Sequence, residues 1–300
     1  MRAYFDGTYE AGYESVVELF KKQGAMQPRG GASLSIFKDG NEVVNVWQGE
    51  ARPNQPWESN TISTVFSCTK GVVSILLAKL IEEKKLDPNE KVATYWPEFA
   101  QGGKQDVTVR MVLQHRAGLS AVRRDLTYEE AVDDHTIINE LAKQEPLWVP
   151  DTSNAYHALT FGHLASKLIH CVTGQTANEY LQAQATSKLG IDIHIGLPKE
   201  KFSQLAPLIS DGTFKAIETE PNSNAYWCQK AMSFGGAFPA EPTAEHGFND
   251  EKTLMAELAG ANGVTNAHGL AKMYSAAVTE TDGVRLVSDE GIEACRIASP

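Results

Sequence analysis

The chain predicts an α+β fold, and three features of its pattern carry that prediction. Alternating apolar residues near the N-terminus read as a β-hairpin. Helix-period segments fill most of residues 67–200, and further helices follow an irregular stretch. Strands kept apart from helices suggest a sheet with a mainly helical insertion. At 300 residues and 42% hydrophobic content the chain can bury a sizeable core, as one large domain or two intimately packed ones. We read a single domain in three stretches: 1–66 with the N-terminal helix and hairpin, 67–200 mainly helical, and 201–300 with the irregular stretch and C-terminal helices.

In chain order, residues 13–23 form an amphipathic pattern. "ASLSIFKDGNEVVNVWQGE" places two alternating runs around Lys38-Asp39-Gly40-Asn41, a hairpin signal. "STVFSCTKGVVSILLAKLIEEKK" is an apolar helix that turns polar at its end. "LDPNEKVATYWPEF" reads as a loop with a short helix, and "TVRMVLQHRAGL" as a short helix stopped at Gly118. Residues 128–143, 158–173 and 175–187 have helical patterns. A Gly/Pro/Asn-rich stretch from about 206 to 249 reads as irregular. Helices are expected near 250–258, at 265–278 and from 288. No internal repeat stands out.

Composition removes several classes of function. The net charge is −11, with no basic stripe to neutralise phosphates, so neither nucleic acid nor an anionic membrane is expected as partner. The start lacks a basic-then-apolar leader and no apolar run reaches the roughly 18 residues of a membrane span. A soluble, cytoplasmic protein is the expectation. The four cysteines lie far apart without a CxxC pair, which suits reduced thiols better than disulfides or zinc. His163 and His170 stand too far apart along one helix to share a metal. No cofactor and no metal are expected.

The chemistry concentrates in Ser67 and Lys70. From Val65 to Ala78, Lys70 is the one charged residue, and a spacing of three puts both side chains on one helix face. An ordinary lysine titrates near 10.4 and cannot accept a proton at neutral pH. Burial among Val65, Phe66, Val72 and Val73 and the positive end of a helix beginning near Ser67 would both lower that value. A neutral amine could then take the Ser67 proton, while the Ser67 backbone N–H, free at the helix start, donates to an oxyanion. An S-x-x-K match arises by chance about once in a chain this long. Ser35 and Lys38 match too, but on a strand, where positions three apart face opposite ways. Spacing and context alone leave catalytic and structural readings of Ser67 and Lys70 equally open.

Five segments appear in order: "FSCTKG", "LDPNEKVATYWPEF", "VRMVLQHRAGL", "NAYHALTFGHL" and "GANGVTNAHGLAKMY". Together they resemble the β-lactamase-related serine hydrolases, the branch of class-C-like β-lactamases and esterases, over about residues 10 to 280. The resemblance implies an antiparallel sheet flanked by helices, packed against a helical domain, with the site in the cleft between. It implies Ser67 as nucleophile, Lys70 as its base and Tyr156 as an acid/base phenol. Asn262 and Gly263 would line the cleft and bind substrate. His115 is expected to be structural through a hydrogen bond, Cys68 to pack rather than react, and Trp96 and Trp148 to lie in the core. The G-x-S-x-G elbow of α/β-hydrolases is absent at Ser67.

Two departures from the family pattern shape the expected function. Where β-lactamases of this type carry Tyr-x-Asn, this chain has Tyr156-His157-Ala158, which favours esters over β-lactam amides. The third motif, a Lys, His or Trp one residue before a Gly on a strand, is not found, nor are the strands that follow it. "AEHGFND" lacks its spacing and "NAHGLAKMY" falls in a helix. The sheet would then keep only its N-terminal hairpin, whether the chain is a piece or a natural short form. Hydrolysis of carboxylic esters through an acyl-enzyme is the expected function. A catalytically impaired scaffold or self-assembling protein, and a D-amino-acid peptidase or β-lactamase, are the alternatives. The partner would be a small-molecule ester or amide, and a homo-oligomer stays open.

Overall fold

Strands β1 (Phe5–Tyr9), β2 (Gly31–Lys38) and β3 (Asn41–Arg52) form an antiparallel sheet in the order β1-β3-β2 in the computed structural model, which describes residues 4–26 and 29–296. The hairpin turns where its sequence says it should. Asp39 (φ 51°) and Gly40 (φ 83°) are both left-handed, the two-residue geometry that matches strand twist. A Cβ on Gly40 would sit 2.1 Å from the Glu280 carbonyl oxygen, so glycine is needed for space as well as for φ. Beyond β3 a short strand β4 (Gln55–Pro56) folds back on it.

The sheet is therefore larger than the expected two-stranded ribbon. β1 was hidden by its Asp6-Gly7 pair, which reads as a turn. In fact Gly7 lies within the strand, where a Cβ would meet the Asn45 carbonyl oxygen at 2.2 Å. Helix α1 (Glu14–Ala25) covers one face, its Val17 packing with Val43, Val44 and Val46 and with Leu34 and Ile36. The alternate position Ser33 accepts the Ala267 N–H, so the helix that begins there covers the opposite face.

The helical part surrounds α2 (Cys68–Glu82), whose Val72, Val73, Leu76, Leu77 and Leu80 are buried. It packs against α4 (Thr160–Thr173), α6 (Ala267–Val278) and α7 (Asp289–Cys295), while α3 (Asp134–Lys143) packs against α4 and α5 (Asn224–Ser233) lies between α4 and α6 in the chain. Short strands β5 (Ser63–Thr64) and β6 (Val264–Thr265) pair antiparallel and join the sheet region to this core. Among the described residues no strand follows β6, and no helix is long and apolar enough to cross a membrane. Ile297–Pro300, at the end of the "CRIASP" segment, lie outside the described residues.

Three helix expectations change. Residues 128–143 are two helices, because Thr127 caps Tyr128–Ala131 in a capping box and Asp133 starts α3 by accepting the Thr136 N–H. The helix expected to run to Gly118 ends at Leu113, and His115 turns left-handed (φ 60°). The irregular stretch contains α5, capped by Ser223 and anchored by the buried Lys230, whose Nζ donates to Asp125 (2.8 Å) and to the Arg123 carbonyl (2.5 Å). Its Gly- and Pro-rich flanks masked it.

Gly40→Ala should lower the unfolding free energy by about 2 kcal/mol or more, read from urea denaturation, since it meets both the φ and the contact with Glu280. An unchanged midpoint would show that this turn relaxes freely.

Candidate active site

The turn that carries Ser67 is built from β5, β6 and the start of α2. Val65 N–H donates to the Gly263 carbonyl (2.8 Å), and Phe66 then turns left-handed (φ 45°). Thr69 fastens the turn: its hydroxyl donates to the Phe66 carbonyl (2.5 Å) and accepts the Gly263 N–H (2.8 Å). Ser67 follows as the residue that precedes α2, and it is exposed. No hydrogen bond among the described residues engages its backbone N–H, as the start of a helix allows.

Lys70 is 8% exposed. Its Nζ lies 3.2 Å from Ser67 Oγ, 2.6 Å from the Ala158 carbonyl oxygen and 2.6 Å from the Gly260 carbonyl oxygen. The rings of Tyr156 and Phe161 approach it, with centroids at 4.7 Å and 6.0 Å. Burial pushes the amine down from the usual lysine value to about 8. Phe66, expected to enclose Lys70, is 37% exposed, so that enclosure comes largely from other elements.

The three oxygens suit either charge state. An ammonium can donate to all three. A neutral amine can keep both N–H groups on the carbonyls and offer its lone pair to the Ser67 hydroxyl. The carbonyls are brought together by two glycines. A Cβ on Gly162, in the first turn of α4, would lie 2.1 Å from Gly260 N, so backbone meets backbone there. Thr69, Gly162 and Gly260 thus position the site although sequence reasoning passed over them. The "TKG" and "GANG" segments held the signal, which only the close approach explains.

Tyr156 is 49% exposed, and its ring lies beside that of His115, centroids 5.1 Å apart. His115 Nδ1 accepts the His157 N–H (3.0 Å), and the wholly buried His157 accepts the Leu119 N–H on Nε2 (3.2 Å). His157 Nδ1 then donates to the Ala155 carbonyl (2.7 Å). Both imidazoles are pushed down to about 4, mainly by burial, with the Lys70 charge adding to the effect. They are neutral braces for residues 155–158.

A family profile described as Beta-lactamase matches residues 16–294. The chain belongs to the beta-lactamase family. Esterase/beta-lactamase LipL of Mycobacterium tuberculosis is 34% identical over 295 residues, 95% of this chain and 67% of LipL. The crystal structure of a family VIII carboxylesterase is 32% identical with a TM-score of 0.84, covering 97% of this chain and 76% of that one. A penicillin-binding protein homologue from Caulobacter crescentus has a TM-score of 0.85 at 28% identity with the same coverages. Family and relatives make this chain a serine hydrolase.

Within this beta-lactamase-family fold, Ser67, Lys70 and Tyr156 lie together, whereas Asn262 and Gly263 do not present side chains to them. Asn262 is wholly buried; its amide donates to the Thr253 (2.7 Å) and Ala256 (2.6 Å) carbonyls and accepts the Leu258 N–H (3.1 Å). It shapes the loop that carries Gly260. Gly263 is buried against Thr69, where a Cβ would meet Oγ1 at 2.5 Å. Cys68 is exposed rather than packed, Trp96 lies in the core and Trp148 is half-buried. Among the described residues no group of three His, Cys, Asp or Glu could hold a metal.

Asn262→Ala removes three side-chain hydrogen bonds to the backbone of Thr253, Ala256 and Leu258 from a wholly buried position, so it should cost about 2–4 kcal/mol of stability. With the Gly260 carbonyl displaced, kcat on an ester should fall more than KM rises. A change confined to KM would instead return Asn262 to substrate binding.

Proposed function

We propose that the protein hydrolyses carboxylic esters through an acyl-enzyme on Ser67. The observation that supports this most is the Lys70 amine, buried on neutral oxygens 3.2 Å from the Ser67 hydroxyl. Neutral Lys70 takes the Ser67 proton as Oγ bonds to the ester carbonyl carbon. The Ser67 backbone N–H, at the start of α2, donates to the oxyanion that forms. As the C–O bond to the alcohol breaks, Tyr156 passes a proton to the departing oxygen and is reprotonated from Lys70. Water then attacks the acyl-enzyme by the reverse route, returning acid and free Ser67.

Esters are favoured over β-lactam amides by position 158. Its side chain is a buried methyl and its carbonyl is occupied by Lys70, so it offers an amide substrate no hydrogen bond. The protein should therefore turn over p-nitrophenyl esters and leave the β-lactam nitrocefin intact; faster nitrocefin turnover would reverse the assignment.

A fluorophosphonate probe should label the wild type and fail on Ser67→Ala. Labelling that survives the substitution removes Ser67 from the reaction. The reactive form of Lys70 is the neutral one, which is roughly a tenth of the population one unit below its pKa. Ester kcat/KM should thus rise with pH and level off above about 8. A profile flat from pH 6 to 9 contradicts a lysine base.

A further inference from the structure

The left-handed residue before the nucleophile is a phenylalanine, and nothing in the proton transfers requires a ring there. At φ 45° a glycine or asparagine would sit with far less steric conflict. The ring of Phe66 is nevertheless not buried; it stands 37% exposed beside an exposed Ser67. It meets Phe248 edge to face, centroids 5.1 Å apart. Phe248 in turn stacks on Phe238 at 5.8 Å, and Phe238 is 1% exposed against Phe234 and Tyr128.

The loop that carries Phe248 is firmly held. Phe248 N–H donates to the Pro242 carbonyl (2.7 Å), and the Asn249 amide exchanges hydrogen bonds with the Leu208 backbone at 2.8 Å and 2.9 Å. Tyr128 donates to Asp250 Oδ1 (2.7 Å). Adjacent to the nucleophile, therefore, is an apolar surface backed by the helical core and fixed in position, with one face open to solvent. A rigid apolar surface next to a reacting carbonyl removes water from whatever alkyl group lies against it.

We propose that Phe66 and Phe248 form the acyl-binding wall and make this enzyme selective for esters with an apolar acyl chain. The inference rests on the Ser67 acyl-enzyme proposed above. Once Oγ holds the carbonyl carbon, the acyl chain is the part of the substrate tethered beside Phe66. The alcohol departs before it can discriminate in the second step.

The test compares kcat/KM for p-nitrophenyl acetate, butyrate and hexanoate, with fluorophosphonate labelling of Ser67 as a separate readout. The wild type should prefer hexanoate to acetate by about tenfold or more. Phe248→Ala should bring that ratio within about threefold while Ser67 still labels. Phe66→Asn should do the same, and because asparagine tolerates left-handed φ it decides the matter if Phe248→Ala fails to fold. Ratios unchanged in folded, labelling-competent variants overturn the wall and leave the Ser67 reading standing. A wild type that neither labels nor hydrolyses any of the three esters overturns both.

Discussion

A buried amine held by two backbone carbonyls is the constraint around which this molecule is arranged. Lys70 reaches Ala158 at the approach to α4 and Gly260 in the loop before β6. Three elements distant in sequence must therefore converge within hydrogen-bond length of one nitrogen. The Gly162–Gly260 backbone contact, the Thr69 clasp on the turn before α2 and the internal bonds of Asn262 all serve that convergence. Sheet and helical core are joined where it occurs, through β5 and β6.

Burial alone does not make a lysine reactive, and the chain contains its own comparison. Lys104 is wholly buried, donates to the Gln101, Ala142 and Gln144 carbonyls, and is likewise pushed down to about 8 by burial. Those bonds staple a loop to α3. Lys230 is buried too, but its Nζ pairs with the Asp125 carboxylate at 2.8 Å. Lys70 shares neutral oxygen partners with Lys104 and differs from both in that one of its partners is an exposed serine hydroxyl at a helix start. The neighbouring imidazoles of His115 and His157 are neutral as well, so they add order to the site without fixing the charge on the amine.

Much of this was legible in the sequence where local chemistry decides structure. The Asp39-Gly40 turn, the apolar periodicity of α2 and the Ser67/Lys70 spacing each specify their geometry within a few residues. The signals that failed were those decided by distant backbone. Gly7 looked like a turn and is a strand residue paired with Val46. Asn262 and Gly263 looked like cleft residues, and both are spent on holding the loop. The surroundings of Lys70 were sought in its own helix, whereas its hydrogen-bond partners beyond Ser67 lie some ninety and nearly two hundred residues away. Carbonyl oxygens carry no residue identity, so a site made partly from them is invisible to a motif.

The amine's protonation in the resting protein is the central quantity. Titration of the Lys70 methylene next to Nζ, followed by NMR in protein carrying ¹³C-labelled lysine and assigned by its loss in Lys70→Met, measures it without any substrate. The account predicts a midpoint near 8. A midpoint near 10.5, that of an exposed lysine, would contradict it, because the group beside Ser67 would then be a cation throughout the neutral range.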